Sequence, residues 1–531
     1  MKPSLRRITR IAAIICILAV LVVMTGSAVL AATPKPKGEV KNVILLISDG
    51  CGFNSFLAGD YYQYGRTGKQ VYEKFPTKTA VSTYEYEWAT YTEDGKTPLS
   101  FEIYGYDTNQ FWGDFGYAIQ TNPLNPAYIN NATDSASSAT AMATGSKTRD
   151  GSICVDINGN TLENIVDIAE GLGKSTGVIT TVPFAHATPA GFVAHNISRD
   201  NYAAIANEML YTSGVDVIMG CGAPDYGYSG EQPFTGNTKY VGGATTWADI
   251  TDDASVTGAD ANGDGTADAW TVIRDQSEFQ ALAKGKTPAR VFGLPKTYQS
   301  LQYYRGFPTA NNLDDPFEVA FTPNIPTLAE MTKGALNVLD NNKKGFFLMV
   351  EGGAVDWAAH FYQPGRMIEE QIDFNKAVAA VVDWVNKKSN WHDTLVIVTA
   401  DHETGYIWGP GSNPTFEPIV NNGKGNVPGM AWYSDIGGFA WHSNSLVPLY
   451  AKGDGARFFK SYADEKDLVR GCYLDNTEIF AVMTKCLSGK DHRCPNWKGM
   501  TADGNLDMAA SSQSQTDIDG LINDGLIIPG H

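Results

Sequence analysis

The chain has 531 residues, 43% of them hydrophobic, with 58 acidic against 40 basic residues and a net charge of −18. That excess argues against binding nucleic acid or an anionic membrane through the overall field, and an anionic substrate must be drawn in by local cations. The length suits one large α/β domain with insertions, or two domains.

The four basic residues Lys2, Arg6, Arg7 and Arg10 precede an unbroken apolar run, Ile11 to Met24, and Val29-x-Ala31 offers a small-residue cleavage site. These are the three regions of a secretory signal over residues 1–31, so the expected location is secreted or periplasmic. An uncleaved anchor is the alternative, because the run through Ala32 is just long enough to span. No later stretch is, and no stable membrane span is expected after cleavage. Loss of the four basic residues takes the net charge from −18 to −22. Cys16 leaves with the leader. Cys51, Cys154, Cys221, Cys472, Cys486 and Cys494 remain, an even count that permits disulfides in an exported chain. No CxxC pair occurs, so a cysteine zinc site is not expected.

Residues 32–531 are read as one catalytic domain with insertions at about 84–130 and 222–320 and an irregular tail from about 455. Lys41-Asn-Val-Ile-Leu-Leu-Ile47 predicts a buried strand that ends at Asp49, followed by glycines that allow a tight turn. Residues 84–128 are rich in aromatics without a clear period, which suggests a lid or local packing. Asn131 to Gly145 is dominated by small residues, and Asp134 or Ser135 can cap the Ala-rich helix that follows. A hydroxyl there also sits where anions are favoured. Residues 162–172 predict a helix. Ser175–Thr181 predicts a strand running into His186 and Thr188, with His195 and Arg199 following, and Val215–Met219 predicts another.

Within 222–320 the α/β rhythm is lost. Asp260, Asn262, Asp264 and Asp268 have the spacing of a calcium loop, but Thr271 stands where its last carboxylate belongs, so the match is partial. An Asp/Gly-rich turn is the other reading, and any calcium there would be structural. Next, Phe346–Val350 predicts a buried strand ending at Glu351, with a Gly-Gly turn and then Asp356 and His360. The i, i+4 spacing of Asp356 and His360 puts both on one face of a helical turn, a geometry suited to one metal ion. Residues 366–388 predict a long helix with Ile368, Ile372, Val378, Val382 and Val385 on its apolar face. Thr394–Ala400 predicts a strand ending at Asp401 and His402, and Val447–Ala451 a late strand preceded by Trp441-His442-Ser443.

Strand ends thus supply Asp49, Glu351, Asp401 and His402, with Asp356, His360 and His442 in comparable positions. Carboxylates and imidazoles in this number suit two divalent ions, zinc best, and the all-oxygen group Asp49, Thr188 and Glu351 suits magnesium. In an α/β protein the C-terminal strand ends are where chemistry is kept.

Four ordered segments, Thr133-Asp-Ser-Ala-Ser-Ser-Ala-Thr-Ala, VEGGAVDWAAH, TADHETG and His442-x-x-x-x-Val447-Pro448, resemble the alkaline phosphatase family from residue 41 to about 453. The resemblance implies a three-layer α/β/α fold with a mostly parallel central sheet and inserted subdomains. It also implies a catalytic Ser135 that becomes phosphorylated, and Arg199 clamping phosphate oxygens. Asp356, His360 and His442 resemble the ligands of a first zinc. Asp49, Asp401 and His402, with Ser135, resemble those of a second, and Asp49, Thr188 and Glu351 those of magnesium. His186 and Trp357 stand where some members carry Asp and Lys, and are expected to line the substrate pocket. The expected activity is hydrolysis of small phosphate monoesters at alkaline pH, and relatives are often dimers. A phosphodiesterase on the same scaffold and a calcium-dependent surface-binding protein are the alternatives. A sulfatase is a poor fit, because Ser135 is followed by Ala-Ser-Ser-Ala and not by x-Pro-x-Arg.

Overall fold

A computed structural model of the chain describes residues 38–91, 98–121, 129, 132–252, 258–261, 265–306 and 315–490. The expected leader, Cys494, and Asn262 and Asp264 of the candidate calcium loop lie outside the described residues, as do parts of both expected insertions and the tail beyond 490.

Eleven strands form one sheet: β1 (Asn42–Ser48), β2 (Thr77–Ser82), β3 (Ser175–Pro183), β4 (Val217–Cys221), β5 (Thr271–Ile273), β6 (Val291–Gly293), β7 (Phe346–Gly352), β8 (Thr394–Thr399), β9 (Val447–Lys452), β10 (Glu465–Asp467) and β11 (Gly471–Asp475). Their spatial order is β10-β11-β2-β9-β8-β1-β7-β3-β4-β6-β5. From β8 to β5 every pairing is parallel, while β9 runs antiparallel to both β8 and β2.

The helices that frame the sheet and its rim include α1 (Phe53–Tyr64), α2 (Ser135–Thr144), α3 (Ile165–Gly171), α4 (Ala187–Ala190), α5 (Tyr202–Tyr211), α6 (Leu328–Leu339), α7 (Ala354–His360), α8 (Pro364–Lys388) and α9 (Thr477–Ser488). Six of them form two packing groups. One contains α1, α6 and α8, and the other α2, α3 and α9; members of both lie against the central strands. This three-layer arrangement explains the sequence of the middle strands. Strands β1, β7 and β8 are buried along their whole length and carry continuous apolar runs, because helices cover both faces. Each Val, Leu or Ile fully buried there contributes about 1.5–3 kcal/mol relative to exposure. Along α8, Ile368, Ile372, Val378 and Val385 are buried and Val382 partly so, the stripe its periodicity predicts.

Two segments without α/β rhythm in the sequence complete the sheet. Strands β5 and β6 extend its parallel edge, while β10 and β11 form the opposite edge and α9 packs on α2. Three-residue strands are too short to show a period. In the aromatic-rich block, Phe111, Phe115 and Ala118 form a small separate core with Tyr406. The described cysteines are all free thiols: Cys51, Cys154, Cys221 and Cys486 are buried and Cys472 is exposed.

Register sets the heights of the strand ends. Ile47 of β1 pairs with Glu351 of β7 on one side and with Thr399 of β8 on the other. Asp49 and Asp401 each lie two residues beyond that paired position, so both carboxylates reach the same rim as Glu351. Because β9 is antiparallel, its N-terminal end lies at that rim too, and His442, five residues before Val447, is delivered there.

Candidate metal centre

The glycine turn after β1 is forced by crowding. Gly50 has φ +66°, and a Cβ there would lie 2.5 Å from Asp356 Oδ1. Its amide instead donates to Asp401 Oδ1 at 3.1 Å, tying the ends of β1 and β8 together.

Asp356 and His360 lie on one face of α7, with His360 Nε2 3.1 Å from Asp356 Oδ2. His442 Nε2 lies 3.7 Å from Asp356 Oδ1 and 3.1 Å from His360 Nε2. The ring nitrogens decide what this pair can do. His360 Nδ1 donates to the Ala440 carbonyl at 2.5 Å, and His442 Nδ1 donates to the Thr133 carbonyl at 2.8 Å. A carbonyl accepts only, so each Nδ1 carries a hydrogen, and the two Nε2 atoms converge beside the Asp356 carboxylate. Burial and the neighbouring His402 ring push the His442 imidazole down to about 3, so its Nε2 is unprotonated near neutral pH.

The second set surrounds His402. Its Nε2 lies 3.1 Å from Ser135 Oγ, 3.5 Å from Asp49 Oδ1 and 3.4 Å from Asp401 Oδ2. Burial lowers the His402 imidazole to about 4. The His402 and His442 rings stack 3.8 Å apart, so the two sets adjoin, and ligand atoms of Asp356, His402 and His442 also fall within one sphere of metal-binding size.

Carboxylates here are pushed up. Burial, and then the Asp401, Asp356 and Glu351 carboxylates, hold Asp49 well above the usual range. Burial moves Asp401 to about 6 and Glu351 to about 7. Asp356 goes the other way: burial opposes ionisation, but His360 and His442 outweigh it and hold the group low. Two like charges 4 Å apart repel by roughly 4 kcal/mol at an effective dielectric of 20, so the cluster cannot ionise fully without cations.

Orphaned atoms point the same way. Among the described residues, Asp49 Oδ1, Asp401 Oδ2, both Glu351 carboxylate oxygens and the Thr188 hydroxyl are buried with no hydrogen-bond partner. Buried oxygens of this kind are costly unless a ligand satisfies them. The donor set therefore fits divalent cations: nitrogen with oxygen at the first two positions, oxygen alone at Asp49, Thr188 and Glu351.

Ser135 is the first residue of α2 and is 2% exposed. Asp134, not Ser135, is the N-cap, accepting from Ser137 N at 2.8 Å. The other Asp134 oxygen takes Arg199 Nη1 at 2.8 Å, and Arg199 Nη2 lies 3.5 Å from His186 Nε2. The His186 ring meets Trp357 edge to face at 5.6 Å. The anticipated residues thus converge on one rim.

The calcium loop does not join them in any described contact. Asp260 Oδ2 accepts from Gly265 N at 2.7 Å and Asp268 Oδ2 from Ala261 N at 3.0 Å, so these carboxylates brace their own turn.

Sequence reasoning missed Thr404, whose hydroxyl donates to Asp356 Oδ1 at 2.5 Å. It stands two residues after His402 in an extended segment, a spacing that returns side chains to one face. It also missed Glu85, whose carboxylate accepts from Ser137 Oγ, and from Thr133 Oγ1 and Asp134 N at 3.3 Å each, beneath the nucleophile segment. Nothing local in the sequence marks Glu85. It groups with Asp134 and Asp150, and these donors and Arg199 already engage Glu85 and Asp134.

The family model described as alkaline phosphatase matches residues 117–469, more than half of the chain. Alkaline phosphatase 4 of Bacillus subtilis (strain 168) is 30% identical over 379 residues, covering 70% of this chain and 64% of that protein. Alkaline phosphatase of Escherichia coli (strain K12) is 29% identical over 457 residues, covering 81% and 84% respectively. Among solved structures, a histidine-to-aspartate variant of the alkaline phosphatase TAB5 with Mg bound in its M3 site superposes with a TM-score of 0.52 at 22% identity. That match covers 85% of this chain and 99% of the other, a likeness of fold. The convergent rim and these matches together show that the chain belongs to the alkaline phosphatase family of enzymes.

Proposed function

We propose that the protein is an exported alkaline phosphatase that hydrolyses phosphate monoesters through a phosphoserine at Ser135, in a site holding two zinc ions and one magnesium. The observation that carries the reading is Ser135 Oγ at a helix N-terminus, 3.1 Å from His402 Nε2, with the buried Arg199 braced beside it by Asp134. When bound, such cations lower the pKa of a serine hydroxyl and offset the charge of a phosphate dianion.

The chain's own residues supply the rest. Ser135 Oγ gives up its proton to water and attacks phosphorus as the bond to the leaving oxygen breaks, and that oxygen takes a proton back from water. A water molecule then attacks the phosphoserine, releasing phosphate as Ser135 regains its proton. The N-terminal amides of α2 favour the phosphate oxygens, and Arg199 presents a planar fork to them. Asp134 occupies one edge of the guanidinium, so the fork is oriented before substrate arrives. His186 and Trp357 border it as the flank of the substrate pocket. Glu351 at about 7 and Asp401 at about 6 are ionised under alkaline conditions, which supports cation retention and turnover there.

Export is supported by the basic and apolar pattern of residues 1–31. Among the described residues no helix is long and apolar enough to cross a membrane. A structural calcium at Asp260, Asn262, Asp264 and Asp268 rests on spacing alone, and a homodimer on the resemblance alone.

The test is Ser135→Ala assayed on 4-nitrophenyl phosphate, with metal content measured in parallel. Turnover is expected to fall at least about 10³-fold at unchanged metal content. Undiminished turnover overturns the mechanism. Faster hydrolysis of bis(4-nitrophenyl) phosphate than of the monoester by the wild type would favour the diesterase alternative.

A further inference from the structure

The rim beside His360 and His442 is built by a segment whose role the mechanism does not use. Asp435–Ile436 and Phe439–Ala440 form a two-stranded ribbon, and Trp441 follows it immediately before His442. Phe439 lies flat on the His360 ring, centroids 4.6 Å apart at an interplanar angle of 19°, and is buried. The Trp441 indole lies 6.3 Å from the His360 ring and 6.1 Å from the His442 ring, within 28° of parallel to the latter. Trp441 is half-buried, so of these two rings flanking His360 the indole keeps surface for a ligand.

Its backbone is fixed. Trp441 N donates to the Ser434 carbonyl at 2.9 Å, and the Trp441 carbonyl accepts from Gly405 N at 2.9 Å and from Ser434 Oγ at 2.6 Å. Gly405 belongs to the turn that follows His402 and Thr404. The backbone that carries the indole is therefore anchored to the same framework as the imidazoles.

Substrate polarity follows from the position of the nucleophile. Ser135 Oγ stands against His402, in the set containing Asp49 and Asp401. In-line displacement puts the leaving oxygen on the far side of phosphorus, toward the adjoining set of Asp356, His360 and His442. The group attached to that oxygen then emerges where the indole is.

We propose that Trp441 forms a leaving-group subsite that favours aryl phosphate monoesters over alkyl ones. This rests on the phosphatase reading above. An aromatic leaving group stacks on or against the edge of the indole, gaining surface burial that a small polar alcohol does not. Trp441 acts on specificity and takes no part in bond breaking.

The test compares kcat/KM for phenyl phosphate and glycerol 2-phosphate in wild type, Trp441→Ala and Trp441→Phe, with metal content checked in each. The phenyl-to-glycerol ratio is expected to fall about tenfold in Trp441→Ala, mainly through KM, and less than about threefold in Trp441→Phe. An unchanged ratio in Trp441→Ala overturns the subsite while leaving the phosphatase reading standing. A wild type that hydrolyses neither substrate removes the phosphatase reading, and the subsite with it.

Discussion

Asp401 and Glu351 are carboxyls at one strand rim that burial pushes to about 6 and about 7. A group held above its ordinary value is still protonated just below the new one, so a cation arriving there must displace a proton. As pH rises through about 6 Asp401 ionises, and through about 7 Glu351 follows. Cation affinity should therefore climb across that window and flatten above it. Titration calorimetry in buffers of different ionisation enthalpy should show proton release on zinc or magnesium binding at pH 6 and much less at pH 8. Equal release at both would contradict the assignment. In cation-free protein the same shift has the opposite sign for stability. These carboxyls bind protons more tightly folded than unfolded, so their contribution is full below about pH 4 and is lost as pH rises through 6 to 7. The residues gathered at the rim were legible, because each stands next to a strand-end or helix-turn signal. Thr404, Glu85 and the Ala440 and Thr133 carbonyls were not. They touch the rim residues through contacts between distant segments, and a hydroxyl or carbonyl carries no pattern of its own.

Elements differ in how much of the site they carry. Helix α6 supplies no site residue, yet its start is well made. Thr327 Oγ1 accepts from Glu330 N at 3.2 Å and Glu330 Oε2 accepts from Thr327 N at 2.9 Å, a reciprocal cap. Thr327→Ala should cost about 1 kcal/mol in denaturant unfolding and leave phosphate ester turnover unchanged. A loss of activity matching the loss of stability would mean the rim depends on α6 more directly than its packing shows. Helix α2 is the contrast, since its cap Asp134 also braces Arg199. There the cap and the brace of Arg199 are the same side chain, and the sequence reading that left Asp134 and Ser135 as alternative caps is resolved by the hydrogen bond to Ser137 N.

For the whole molecule, the rim joins the ends of β1, β7 and β8, helix α7 and the segment before β9. Cations bound there would cross-link segments that are far apart in the chain. Chelation should lower the melting temperature by several degrees, and zinc with magnesium should restore it. A cation present at about 1,000 times its Kd adds about 4 kcal/mol to the folded state. Thermal unfolding followed before and after chelation checks this, and an unmoved transition would mean that the buried carboxylates and imidazoles hold no metal. The chain's net charge of −18 makes the same point from outside: the general field repels a phosphate dianion, and only a locally positive site admits one.

The sequence by itself determined the fold class, the central strands and the identity of the rim residues. Continuous apolar runs mark strands covered on both faces, and each ends on a carboxylate or imidazole. Only the tertiary structure decided which of these residues lie side by side and which neighbours hold them there. Register lifts Asp49, Glu351 and Asp401 to one height, and the reversed direction of β9 returns His442 to them. The short edge strands β5, β6, β10 and β11 were likewise decided by tertiary packing, because three to five residues hold too little periodicity to announce a strand before a neighbour pairs with it.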